Sequence, residues 1–309
     1  MSEGTPKTQR SLGLQPGTLR SRLGQQTQFA LECGALQPIP TEYEFLEEDG
    51  LRFLVRSLSN LARKDRVRKQ QQSGSGDRNF NPFLPCERDL FVADLSDTHL
   101  CLLNKYNVVD RHLLIITRDF EAQETWLTLP DFQALWACLA EVEGLAFYNG
   151  GKDAGASQHH KHLQLVPFPL VPNGENIPIE EAIAAARVGS SAGTVPHFPF
   201  PHAVAKLDLH QSDSPSEVAE TLLECYRKLL KAVNLHYHPE RDRQQSGAYN
   251  LLATRQWMAV VPRSRESFEA IAVNALGFAG TLFVRNEEQM QRLKDLGPIA
   301  ILKSVARTP

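Results

Sequence analysis

A chain of 309 residues, 42% hydrophobic and 22% charged, can bury a core of its own and has the balance of a globular protein rather than of a disordered or fibrous one. Its formal charge of −3 gives no general field for collecting a polyanion, which argues against a nucleic-acid-binding module and requires any phosphate site to be built locally. Cys33, Cys86, Cys101, Cys138 and Cys225 are odd in number and never spaced Cys-x-x-Cys, which fits reduced thiols in the cytoplasm better than a disulfide frame or zinc knuckle. No apolar run nears the roughly 20 residues that cross a bilayer, and MSEGTPKTQRSLG lacks the apolar core of a signal peptide, so neither export nor a membrane partner is expected.

Residues 1–50 read as an N-terminal helical region, and Lys64–Asn81 (KDRVRKQQQSGSGDRNFN) as a polar loop after which the strands begin. The runs DLFVADL, THLCLLN and HLLIITR have the length and Leu/Val/Ile content of strands. A helix follows, with Thr128 as N-cap, Pro130 in the first turn, and Phe132, Leu135, Trp136, Leu139 and Val142 forming a face to lay on the sheet. HKHLQLV is a further strand, and the Pro/Gly/Ala-rich stretch Pro169–His202 is expected to wander over the surface. Ser214, Pro215 and Glu217 start a second long helix, which Val218, Leu222, Tyr226, Leu229 and Val233 continue to about Asn234. HYHPERDRQQSG is then a loop, YNLLAT and WMAVVPR are strands, and a last helix is capped by Asn286 and stopped by Gly297. HLLIITRDFE and WMAVVPRSRE share a bulky start, an apolar strand and Arg-x-x-Glu at the same offset, a faint echo of two repeated halves. Strand runs that cluster, rather than alternate with helices, predict an α+β fold with a mostly antiparallel sheet. A catalytic half at 51–205 and a second half at 206–309 would form one compact unit with residues 1–50.

On a strand, HKHLQLV puts His160, His162 and Gln164 on one face and Lys161, Leu163 and Leu165 on the other. His159 falls off the polar face. Upstream, Gly150, Gly151 and Gly155 permit a tight turn whose amides could cradle phosphate oxygens, with Ser157 and Gln158 as neutral donors and Lys152 as a nearby cation. Imidazole is neutral near pH 7 and nucleophilic without a separate base, so such a face suits attack on phosphorus. The residues alone leave this reading open beside a hydrogen-bonded histidine pair on a half-buried strand. A metal site is less well served, because only two of the three histidines share a face and no cysteine or acid accompanies them. His236 and His238 share the spacing without the glycines and read as a surface loop, and His197–His202 (HFPFPH) reads as a packed loop.

The segment NGGKDAGASQHHKHLQ (Asn149–Gln164) resembles the active-site segment of the histidine-triad superfamily's transferase branch, and within it the diadenosine tetraphosphate phosphorylases, or ATP adenylyltransferases. LNKYNVVDRHLLIITRDFE, YNLLATRQWMAVVPRSRE and VNALGFAGTLFV are similar to other segments of that family, so the resemblance runs from about Arg52 to Lys303. It implies a histidine-triad-like fold and transfer of AMP through His162. Gln164 would hold a nonbridging phosphate oxygen, and the carbonyl of His160 would orient the ring. Asn149, Gly155, Ala156, Ser157 and Gln158 would bind phosphates, Asn274 would reach the nucleotide from the second half, and Lys64, with Lys105 as rival, would be the substrate lysine. Arg285 stands where the family's pattern suggests a lysine. The expected partners are nucleotides and orthophosphate, with Mg²⁺ or another divalent cation accompanying the polyphosphate. Hexose-1-phosphate uridylyl transfer, an ADP-sulfurylase-like reaction and a nucleotide-binding regulator without turnover are the alternatives.

Overall fold

Short apolar runs in the middle of the chain cannot bury both of their faces alone, and the computed structural model, which describes residues 14–58, 81–172, 174–188, 192–209 and 214–308, joins them edge to edge. Helix α1 (Leu19–Glu32) leads into strands β1 (Thr41–Glu48) and β2 (Leu51–Leu58), followed by β3 (Phe91–Asp94), β4 (His99–Leu103) and β5 (Leu113–Thr117). Helix α2 (Leu129–Leu139) precedes β6 (Gly144–Gly150) and β7 (His162–Pro167), then a short α3 (Glu180–Ala184), β8 (Arg187–Val188), β9 (Gly193–Thr194) and β10 (Ala203–Lys206). The rest is α4 (Pro215–Ala232), β11 (Tyr249–Ala253), β12 (Trp257–Pro262), β13 (Ser267–Phe268), β14 (Ile271–Ala272), β15 (Thr281–Val284), α5 (Glu287–Leu296) and α6 (Pro298–Val305).

Ten strands form one sheet in the order β3-β4-β5-β7-β6-β11-β12-β10-β9-β8, each neighbouring pair antiparallel. Alternation then sorts the side chains. Leu113, Ile115, Leu163, Leu165, Ala146, Tyr148, Leu251 and Val260 join a core with residues of α1, α2 and α4. On the opposite face Leu145, Phe147, Val166, Leu252 and Val261 pack with residues of β2, β15, α5 and α6. Farther along that face Leu100, Leu102, Leu114 and Ile116 form a smaller cluster with Phe83. The site residues lie between these two apolar patches.

The capping predictions hold where the side chains bear them out. Thr128 and Asp131 form a capping box at α2, and Asn286 accepts from the Gln289 amide at the start of α5. Ser214 stands at the N-cap of α4, but its hydroxyl makes no capping bond. The echoed segments carry β5 and β12, second strands of the antiparallel pairs β4–β5 and β11–β12 within the one sheet. Among the described residues no helix is long and apolar enough to cross a membrane.

Two expectations need correction. The strands do not begin after Lys64–Asn81: β1 and β2 form an antiparallel pair before it, and β2 pairs in parallel with β15 from the far end of the chain. Pro169–His202 does not wander over the surface, because Leu170, Val171, Ile177, Ile179, Ile183, Val195 and Phe200 are buried, most of them in the second core. Its backbone, regular only in the short α3, β8 and β9 among the described residues, hides an apolar content that has no sustained strand or helix period.

Arg263 bolts this arrangement together. Its Nη1 donates to Asn250 Oδ1 at 2.6 Å and to the Val273 carbonyl at 2.9 Å, its Nη2 to the Arg265 carbonyl at 2.8 Å, and its Nε to the Val305 carbonyl at 3.1 Å. Burial lowers its pKa to about 9, against the raising influence of Asp153 and Glu266, so the guanidinium stays a cation at neutral pH. Lysine offers one nitrogen where four acceptors sit in different directions. Arg263→Lys should therefore lose about 2–3 kcal/mol in urea unfolding through carbonyls left unpaired; an unchanged midpoint would show that these bonds contribute little.

Candidate active site

Strand β7 carries the reactive face. Lys161, Leu163 and Leu165 are buried, the two leucines toward the helices, and His162 and Gln164 look the other way, as the two-residue period predicts. His162 Nδ1 donates to the His160 carbonyl at 2.8 Å, so its lone pair is on Nε2, and the ring borders a cavity of about 310 Å³ lined also by Phe83, Lys105, Tyr106, Ser157, Gln158 and Gln164. Burial lowers the His162 pKa to about 4, opposed by that hydrogen bond. The ring is neutral at physiological pH.

Gln164 stands where this cavity meets a second one of about 340 Å³. Its Oε1 accepts from His112 Nε2 at 2.9 Å, while His112 Nδ1 accepts from Asn104 Nδ2 at 3.2 Å. Burial lowers the His112 pKa to about 4, so a single proton serves both bonds. The Gln164 carbonyl is thereby occupied and its NH₂ has no acceptor among the described residues. An amide in that state can donate to an anionic oxygen. Sequence reasoning singles out neither His112 nor Asn104, although HLLIITR opens on a histidine in the same two-residue phase as Leu114 and Ile116.

It misses Gln123 as well. Where β6 and β7 part company, the Gln123 Oε1 accepts the His162 amide at 2.9 Å and its Nε2 donates to the Asn149 carbonyl at 2.9 Å. This fully buried side chain spans the gap between nucleophile and glycine loop.

The loop after β6 departs in part from expectation. Gly155 is in the left-handed region at φ 87°, and a Cβ there would lie 2.7 Å from the Val273 carbonyl oxygen, so glycine lets this turn rest on the segment bearing Asn274. The Gly155 and Ala156 amides, however, donate to the carbonyls of Lys152 at 2.8 Å and Gly151 at 3.2 Å. They shape the turn and are not free to cradle phosphate; that expectation narrows to Ser157 and Gln158. Ser157 borders both cavities and Gln158 the one with His162.

Asn149 borders the second cavity, and its Oδ1 accepts from Asn250 Nδ2 and the Ala275 amide, both at 2.9 Å. Asn274 borders it too, its Oδ1 capping the Leu276 amide at 3.0 Å, and Arg285 lies on the same wall. The His160 side chain corrects the expectation of a third polar group facing substrate. Its Nε2 donates to the Thr117 carbonyl at 2.9 Å, its Nδ1 accepts from Asn81 at 3.0 Å, and Phe83 and Phe120 flank the ring. What it offers the site is its carbonyl.

Lys105 lines the cavity beside His162 and is paired with Glu87 at 2.8 Å; Lys64 lies outside the described residues. Lys152 and His159 are exposed, His238 meets Glu240 at 3.5 Å, and His202 is packed against Phe198 and Phe200. Among the described residues no three His, Cys, Asp or Glu side chains are placed to hold a metal ion. The described residues thus present no cage of their own for Mg²⁺.

A neutral, oriented imidazole beside an unspent amide between two cavities is equipped to take up and hand on a phosphoryl-linked group. Comparison with known proteins points the same way. Residues 196–308 match the ATP adenylyltransferase C-terminal domain. A diadenosine tetraphosphate phosphorylase 2 of Saccharomyces cerevisiae is 28% identical over 262 residues, covering 76% of this chain and 77% of that protein. Protein APA1 of the same yeast is 24% identical over 91% of each chain. The crystal structure of yeast Ap4A phosphorylase Apa2 superposes with a TM-score of 0.77 at 22% identity, covering 96% of this chain and 99% of that one, which establishes the histidine-triad-like fold. Residues 9–185 match the Ap4A phosphorylase N-terminal domain, and the chain belongs to the Ap4A phosphorylase, or ATP adenylyltransferase, family.

Proposed function

We propose that this protein is a nucleotidyltransferase that phosphorolyses diadenosine tetraphosphate to ATP and ADP, reversibly, through AMP carried on His162. The observation that carries the reading is the pair of hydrogen bonds that commits His162 Nδ1–H to the His160 carbonyl and Gln164 Oε1 to His112, leaving a lone pair and an amide donor beside one another.

In the first displacement His162 Nε2 attacks the α-phosphorus of one adenosine. The Nε2–P bond forms, the bridging P–O bond breaks, and ATP departs with the bridging oxygen. In the second an oxygen of orthophosphate attacks the same phosphorus, the P–Nε2 bond breaks, and ADP leaves with the ring again neutral. Gln164 donates to a nonbridging oxygen in both steps. Ser157 and Gln158 hold neighbouring phosphates, Lys105 supplies a cation at the rim, and the cavity bordered by Asn149 and Asn274 receives a nucleoside. A divalent cation such as Mg²⁺ would be held by the polyphosphate oxygens, which suit it better than the side chains here, and would supply screening of the phosphate charge. The free thiols favour a reducing compartment, and we place the protein in the cytoplasm.

Incubation with diadenosine tetraphosphate tests the reading. ATP and ADP should accumulate only with orthophosphate present, and without it the protein should acquire an acid-labile AMP label that phosphate discharges as ADP. Two ADP, or ATP plus AMP, formed without phosphate would indicate a hydrolase instead.

His162→Ala should abolish the label and turnover while leaving nucleotide binding in place. Gln164→Ala should slow both half-reactions by about 100- to 1,000-fold, the usual loss for one preorganised donor. Equal loss of binding in both variants would make these residues mere contacts.

The pH dependence follows from the ring. Protonation fills the Nε2 lone pair, so activity should fall as pH drops through about 4, and kcat/KM at about pH 5.5 should be near its plateau, not at about the one tenth expected of an ordinary histidine. The unfolded chain binds protons on His112 and His162 near pH 6.5, before the folded chain does near 4. Stability present above 6.5 is therefore lost across that window. A kcat/KM profile with its acid limb at 6.5 would contradict the desolvated ring.

A further inference from the structure

We infer that Lys161 is a positioning residue for the nucleophile: from the helix side of the sheet, its ammonium holds the peptide whose carbonyl sets the ring of His162. The inference rests on the nucleotidyl-transfer reading and deepens it.

Lys161 is 1% exposed, on a face that Leu163 and Leu165 fill with hydrocarbon. A leucine there would avoid the desolvation that burying an ammonium requires, so packing alone does not account for a lysine. Its Nζ is fully engaged, donating to Asp131 Oδ2 at 2.8 Å, the Trp126 carbonyl at 3.0 Å and Glu121 Oε2 at 3.2 Å. Asp131 is itself fixed: its Oδ2 accepts the Thr128 amide at 2.7 Å and hydroxyl at 2.8 Å, and its Oδ1 accepts from His99 Nε2 at 3.2 Å. Burial, which would raise the Asp131 carboxyl, is outweighed by Lys161 and His99, which hold it well below the usual carboxylate range. The ammonium is thus tied to the first turn of α2.

The place of Lys161 in the chain gives this anchor its consequence. The register of β5 and β7 ends at the pair Ile116 and His162, so the peptide linking His160 to Lys161 lies just beyond the regular ladder. Its carbonyl is the one that accepts His162 Nδ1–H. Beyond the ladder this peptide is held by its own N–H, that of Lys161, which donates to the Glu121 carbonyl at 2.8 Å, by the Lys161 carbonyl that follows, which accepts the Thr117 amide at 3.3 Å, and by the side chains at its two ends: the His160 ring on Thr117 and Asn81, and Lys161 on Asp131. Loosening the second end lets this planar peptide, carbonyl and N–H together, shift away from the ring, and the proton on His162 is then free to move to Nε2, where it blocks attack.

The test is the double variant Lys161→Met with Asp131→Asn, which removes both charges together and leaves neither buried alone; His99, in its other tautomer, can accept from the introduced carboxamide. Unfolding temperature, kcat and KM for diadenosine tetraphosphate at saturating phosphate, and the ¹⁵N resonances of the His162 ring are measured on the full chain. The expected result is a folded protein with KM within about twofold of the parent, kcat at least about tenfold lower, and Nδ1–H giving way to a mixture of tautomers. A folded variant with kcat within about twofold and an unchanged Nδ1–H signal overturns the inference and leaves Lys161 structural. Should the double variant not fold, Asp131→Asn alone is read by the same criteria. The ring resonances need no turnover, so a tautomer shift in a protein that never transfers AMP would uphold the positioning while sinking the transfer reading.

Discussion

Successive side chains of a strand must point to opposite faces, and β7 has to satisfy two incompatible environments under that constraint. Leu163 and Leu165 belong to an apolar core, and His162 and Gln164 to a polar window. A slip of one residue would bury the reactive groups under helices and turn leucines into the cavity. Much of the surrounding structure can be understood as fixing this register: β5 and β6 pair with β7 on its two sides, Gln123 bridges the point where β6 diverges, and Arg263 locks the glycine loop's neighbours from behind.

The sequence made that strand legible because its two periods are written in residue type, histidine and glutamine against leucine. The helix caps at Thr128 and Asn286 were legible for a similar reason, since capping is a contact across three residues. What escaped is long-range or irregular. His112 finds Gln164 across 52 residues, and nothing local announces the pairing. The segment after Pro169 buries its apolar residues without a period. The β1–β2 hairpin was lost behind the glutamates that make up half of β1, yet Asp49-Gly50, with φ of 50° and 76°, is the turn dipeptide that could have revealed it.

Desolvation unites the chemistry with the fold. His112 and His162 are both kept neutral chiefly by burial, with a smaller lowering from the neighbouring histidine in each case. The same dry surroundings that depress their basicity strengthen each hydrogen bond that orients them. A charge enters this region on the opposite face of the sheet, where Lys161 and Asp131 neutralise each other.

The order of strands also bears on how the chain is made. Strand β6 is complete on one side once β7 is synthesised, but its other partner is β11, and Asn149 meets Asn250 only after 101 further residues. During synthesis the segment GLAFYNG thus presents a bare, apolar sheet edge for a third of the chain's length. Such an edge invites pairing with another nascent copy. The two family-matched segments, although separable by sequence, share one sheet, and the edge that the first leaves open at β6 is closed only by a strand of the second.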